Sequence, residues 1–195
     1  MSQIAVDGSG NVLASTTRGG TIGTTGMWTF LAIDAIGFGG LLIAYGVLRA
    51  RAAFGEWPDP HTRLELAPAA VMTFVLVTSS LTMTLATRAA TLGRRRGWLM
   101  VTALLGAAFL AGAAFEYTHL ADVEGMGLSS DLFASTFYVI TGFHALHVLA
   151  GVVGVVFMSR AKFAAQAVET MGLYWHFVDV AWMPIFSILY LWPTA

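Results

Sequence analysis

Apolar residues in this chain come in long runs and not at the spacing of an amphipathic surface helix. Five runs, near residues 24–48, 66–88, 97–119, 132–158 and 171–193, each reach the roughly 20 residues a helix needs to cross a bilayer. None alternates apolar and polar positions with the period of two that a membrane barrel requires. The pattern predicts an all-α integral membrane bundle of five transmembrane helices. Residues 1–23 break it: they are rich in Gly, Ser and Thr, with one Arg and one Asp. They lack the basic start and short apolar core of a signal peptide and are read as a flexible polar tail. Residues 24–195 then form a single five-helix domain. The first run is too long for a cleaved signal and is expected to stay in the mature protein.

Composition supports a membrane solvent. Of 195 residues, 57% are hydrophobic and 11% charged, where a soluble domain carries about 25% charged residues. The mean hydropathy is +0.73. One soluble core of this size could not hide so much apolar surface. Ten basic against eleven acidic residues give a net charge of −1, without the basic footprint of a nucleic-acid partner. The absence of cysteine excludes disulfides, cysteine–zinc sites, iron–sulfur clusters and thiol catalysis.

Charge placement sets an expected orientation. Arg18, Arg88, Arg94, Arg95, Arg96, Arg160 and Lys162 fall on one side, and the 89–96 segment is read as a turn. Arg49, Arg51 and Arg63 fall on the other, diluted by Glu56, Asp59, Glu65, Asp122, Glu124 and Asp131. The positive-inside rule then places the N-terminus in the cytoplasm and the C-terminus outside. Trp57, Trp98 and Trp192 stand near span ends, as interfacial anchors do. Pro184 lies inside the last span and is expected to kink it.

Ionisable groups inside spans are costly and mark candidate sites. Asp34 sits about ten residues into the first span, ~15 Å deep. Glu116 and His119 close the third span, His144 and His147 centre the fourth, and His176 and Asp179 lie in the fifth. The pairs Glu116/His119, His144/His147 and His176/Asp179 are three residues apart, so each shares a helix face. They are read as a structural polar network: Glu116 with His119 and His176 with Asp179 as hydrogen-bonded couples, and His144 and His147 bonded to other helices. Two imidazoles are not a complete metal site, and no two histidines on different helices match in depth as a bis-histidine haem demands. No phosphate loop, nucleophile elbow or zinc motif is present. No catalytic residue and no metal ligand is assigned. A diheme b-type membrane anchor and a proton-coupled carrier built around Asp34 stand as alternatives. The residues alone do not separate a transporter from an accessory subunit.

The run Ser135-Thr136-Phe137-Tyr138 through Thr141-Gly142-Phe143-His144-Ala145-Leu146-His147-Val148, with Gly151 following, resembles the TFY–TGFHGLHV–G signature of cytochrome c oxidase subunit III. Tyr174-Trp175-His176-Phe177-Val178-Asp179-Val180-Ala181-Trp182 is similar to that family's YWHFVDVVW. Gly26-Met27-Trp28-Thr29-Phe30-Leu31, Trp57-Pro58 and Glu116-Tyr117 follow the same family in the same order.

The resemblance implies the short five-helix bacterial form of a haem–copper oxidase subunit III, found in cytochrome c and quinol oxidases, in a multi-pass position in the bacterial plasma (inner) membrane. It implies a non-catalytic role in the aerobic respiratory chain. The chain would pack against subunit I, with subunit II and other respiratory subunits as further partners. It would bind no haem or copper itself, these residing in partner subunits. It would hold phospholipid in a cleft and support proton uptake and turnover stability during oxygen reduction. A nitric-oxide-reductase-associated complex and a respiratory supercomplex are hosts the family also allows. Asp34 stands where the family has a buried Glu and is the expected lipid-cleft carboxylate. Arg160, Lys162 and Trp175 are the expected lipid head-group contacts.

Overall fold

A computed structural model describes residues 5–6, 12–13, 17–52, 57–58, 60–160 and 163–192, with side chains from Gly23 onward except at 60 and 61. Strands β1 (Ala5–Val6) and β2 (Val12–Leu13) pair antiparallel over two residues each. Helix α1 (Thr17–Arg51) follows, beginning within the stretch read as a polar tail. A single turn, α2 (Pro60–Arg63), leads to α3 (Leu66–Thr87), α4 (Leu92–Asp122), α5 (Leu132–Arg160) and α6 (Ala165–Phe186). Among the described residues, five helices are long and apolar enough to cross a membrane: Gly23–Arg51, Leu66–Thr87, Leu92–Asp122, Leu132–Arg160 and Ala165–Leu191. The bundle has two chemically distinct ends. Arg88, Arg94, Arg95, Arg96 and Arg160 lie at one end, and Glu65, Asp122, Glu124 and Asp131 lie at the other.

Helix ends follow local chemistry. Thr91 caps α4, its hydroxyl accepting the Arg94 N–H at 3.4 Å. This cap places Arg94, Arg95 and Arg96 in the first helical turns and not in the 89–96 turn expected from their charge. Long basic side chains reach interfacial water from within a helix, so the charges do not end it. Asp131 caps α5 by accepting the Ala134 N–H at 2.7 Å and also pairs with Arg63. Its partial burial opposes ionisation, but these two donors outweigh that and hold the carboxyl below its ordinary range. Gly125 takes φ +62° in the α4–α5 connection, a conformation that favours glycine. Pro184 sits inside α6, and the helix widens into a π-helical turn at Ser187–Leu191.

Close packing centres on one indole. The Trp175 ring is 1% exposed and lies between two glycines of neighbouring helices. A Cβ on Gly106 of α4 would come within 2.6 Å of its Cη2, and one on Gly151 of α5 within 2.9 Å of its Cζ3. Its Nε1–H donates to Ser79 Oγ of α3 at 2.9 Å. Trp175 therefore ties four helices together, using the small residues that let membrane helices approach. Trp182 repeats the tie one level along α6, donating to Thr73 Oγ1 at 2.9 Å.

Candidate functional site

The groups singled out in the spans fall into three clusters, each built across helices. The first joins α1 and α5 in the middle of the bundle. His147 Nδ1 lies 2.8 Å from the Phe143 carbonyl oxygen. A carbonyl only accepts, so Nδ1 carries the proton. The opposite nitrogen, Nε2, lies 3.3 Å from Asp34 Oδ2, and both side chains are 14% exposed. The two groups stand at ion-pair distance without hydrogen-bond geometry, and Asp34 Oδ2 has no hydrogen-bond partner among the described residues. Phe38, one turn beyond Asp34, packs edge-on against His147 with ring centroids 5.2 Å apart. Tyr174 donates its hydroxyl to the His147 carbonyl at 2.9 Å. Asp34 of the first span and His147 of the fourth therefore share a depth. Asp34 and His147 lie at nearly equal remove from Arg51 and Leu132, the acidic-end termini of two antiparallel helices.

His144, one turn before Val148 on α5, behaves differently from its expected interhelical bonding. It is fully buried, and neither ring nitrogen has a hydrogen-bond partner among the described residues. Its ring lies instead against Trp182 at 4.9 Å and Phe109 at 5.6 Å. The imidazole is used as an aromatic wedge.

The second cluster lies between α3 and α6. Ser80 Oγ is 2.6 Å from His176 Nδ1, and Thr84 Oγ1 is 3.5 Å from His176 Nε2. Thr84 gives its hydroxyl proton to the Ser80 carbonyl at 3.0 Å, so it is the acceptor toward Nε2. Nε2 then carries the ring proton, and Ser80 donates to Nδ1. Asp179 is 5% exposed, and neither of its oxygens has a hydrogen-bond partner among the described residues. The expected His176–Asp179 couple is therefore replaced by bonds from His176 to α3. The Ser and Thr residues of α3 serve both their own helix, as Thr73 does toward Ala69, and its neighbours.

The third cluster occupies the acidic end. Tyr190, placed by the π-helical turn, lies 2.9 Å from both oxygens of Glu116. His119 Nε2 lies 3.8 Å from Glu65 Oε1, so Glu116 and His119 also turn to partners on other segments and not to each other. Tyr117 is 2.7 Å from Thr141 Oγ1, joining α4 to α5.

The expected head-group contacts divide. Arg160 is exposed at the last turn of α5. Lys162 lies outside the described residues. Trp175 is enclosed by α3, α4 and α5 as described above, so its ring offers no surface to a head group. The sequence does not mark Phe38, Ser80 or Tyr190 as partners, and Tyr174 enters only as part of its motif. The spacing of four from Asp34 to Phe38 was the one available signal for a shared helix face. Among the described residues no group of three or more His, Asp or Glu side chains is arranged to hold a metal ion.

Comparison with known proteins adds an independent line. Residues 9–194 match the family model described as cytochrome c oxidase subunit III. The chain is 40% identical over 179 residues to cytochrome c oxidase subunit 3 of Corynebacterium diphtheriae, covering 86% of each protein. It is 37% identical over 177 residues to the protein of the same name from Thermostichus vulcanus, covering 85% of each. With that of Synechocystis sp. it shares 39% identity over 178 residues, 85% of this chain and 74% of the relative.

Proposed function

The chain belongs to the cytochrome c oxidase subunit III family, and from that premise we propose that it is the non-catalytic third subunit of a bacterial respiratory haem–copper oxidase. It packs against subunit I in the plasma membrane, N-terminus in the cytoplasm, while haem and copper reside in the partner subunits. Its part in oxygen reduction is to keep lipid in place and to sustain proton uptake and turnover.

The observation that carries this reading is the Asp34–His147 pair. A catalytic or transporting carboxylate needs access to substrate or water. Here the carboxyl lies 3.3 Å from a histidine whose other nitrogen is already bonded. Phe38 packs against that ring and leaves the pair little exposed. The same economy recurs at Glu116 with Tyr190 and at His176 with Ser80. Polar groups spent on one another across helices support a scaffold, and they speak against both the diheme anchor and the carrier built on Asp34. Arg160 and Lys162 are proposed at lipid head groups.

The test is the Asp34→Asn variant within the oxidase. The expected result is normal assembly with a shortened active lifetime during continuous turnover or altered retained lipid. Loss of the subunit from the complex would refute a local role for this carboxyl.

A further inference from the structure

A cavity of about 420 Å³ opens between α3 and α4 at the acidic end, and neither Asp34 nor His147 lines it. Its walls are apolar, including Val71, Met72, Val75, Ala108 and Phe109, and its mouth carries Glu65, Glu116 and His119. From Glu65 to Val75 on one helix, and from His119 back to Ala108 on the other, it extends for roughly ten residues, or ~15 Å. That is half of the ~30 Å hydrocarbon core, the reach of one leaflet. Gly112 opens the groove wall: a Cβ there would stand 2.5 Å from Met72 Sδ.

The mouth is chemically one-sided. Two carboxylates and one imidazole line it, and no Lys or Arg does. Arg63, two residues before Glu65, is held by Asp131. Glu65 is 69% exposed and makes no side-chain cap for α3; His119 Nε2 stands 3.8 Å away, beyond hydrogen-bond length, so the carboxylate still faces a ligand. A net-negative head group would be repelled here, whereas an ammonium would meet opposite charge at the level where head groups lie.

We propose that this cavity binds one acyl chain of a phospholipid whose head group carries a primary ammonium, with Glu65 as the head-group acceptor beside His119. The site requires only that the chain span a membrane and does not depend on the role proposed for Asp34.

The experiment uses the purified oxidase complex in nanodiscs containing phosphatidylethanolamine or phosphatidylglycerol probes with the same photoreactive acyl chain. Cross-linked residues are mapped by mass spectrometry. Exposed Ile36 and Ile43 on α1 report bulk lipid. Relative to those positions, the ethanolamine probe should label Val71, Val75 and Ala108 about two- to five-fold more than the glycerol probe, the range of a solvent-exposed ion pair. Glu65→Lys should reverse that preference. Ala108→Trp should abolish labelling at Val71 and Val75 with the complex still assembled. Equal labelling by both probes, a preference unmoved by Glu65→Lys, or no labelling because another subunit fills the groove would each overturn the proposal.

Discussion

Adding a single methyl group at Gly106 is the sharpest probe of how the bundle is held. A Cβ there would lie 2.6 Å from Trp175 Cη2 and 2.7 Å from Val152 Cγ2. Neither neighbour can yield cheaply. The indole is fixed on its far side by Gly151 and anchored by its bond to Ser79, and Val is stiff at χ1. Forcing one extra carbon into such packing costs about 1–3 kcal/mol, while alanine gains about 1 kcal/mol over glycine in a helix interior. Gly37→Ala isolates the second effect, since a Cβ at Gly37 meets nothing within 4 Å. The difference between the two variants should therefore be about 1–3 kcal/mol against Gly106→Ala. Gly112→Ala adds a useful inversion. Its Cβ would approach closer, 2.5 Å from Met72 Sδ, but a flexible thioether can turn away, so this variant should lose less than Gly106→Ala. The assay is unfolding of the purified chain by sodium dodecyl sulfate in dodecyl maltoside micelles, followed by tryptophan fluorescence. Equal stability of Gly106→Ala and Gly37→Ala, or a larger loss in Gly112→Ala, would refute the packing account.

Two further outcomes follow from the polar groups. His144→Leu should change stability by no more than about 1 kcal/mol in the same assay, because it removes two buried nitrogens that lack partners among the described residues while keeping most of the apolar contact; a loss above about 3 kcal/mol would mean the ring is hydrogen-bonded. Asp131 has its carboxyl held below the ordinary 3.8, so its contribution is complete above that value and disappears as pH falls through the lower, folded value. Protease resistance of the α4–α5 connection should fall in that acidic window, and Asp131→Asn should show low resistance at every pH; a wild-type profile in the variant would contradict the capping role.

The five helices were legible because a membrane span is written in length and continuous apolarity, and the expected and observed spans coincide closely in α3 and α5. The start of α4 was hidden because charge was read as loop, although the Thr91 cap precedes three arginines that tolerate a helical interface. Each polar residue was identifiable by its cost in lipid, but its partner was not. Spacing of three suggested intrahelical couples for Glu116 and His176, whereas hydroxyls on neighbouring segments, Tyr190 and Ser80, satisfy them. Choice among such partners depends on helix rotation, which a single sequence does not encode locally. Trp175 shows the same limit from the apolar side. Its position suits an interfacial anchor, and only the gaps at Gly106 and Gly151 reveal that it is a core residue.

Co-purification tests the central claim most directly. The tagged chain is extracted from its native membrane in mild detergent, and the accompanying chains are identified and quantified by mass spectrometry, alongside a reduced-minus-oxidised spectrum. The account predicts a haem–copper subunit I at near-stoichiometric yield, with the haem absorbance following that subunit when the complex is split. A chain that emerges alone as a stable monomer or homo-oligomer, or that carries haem after separation, would contradict it.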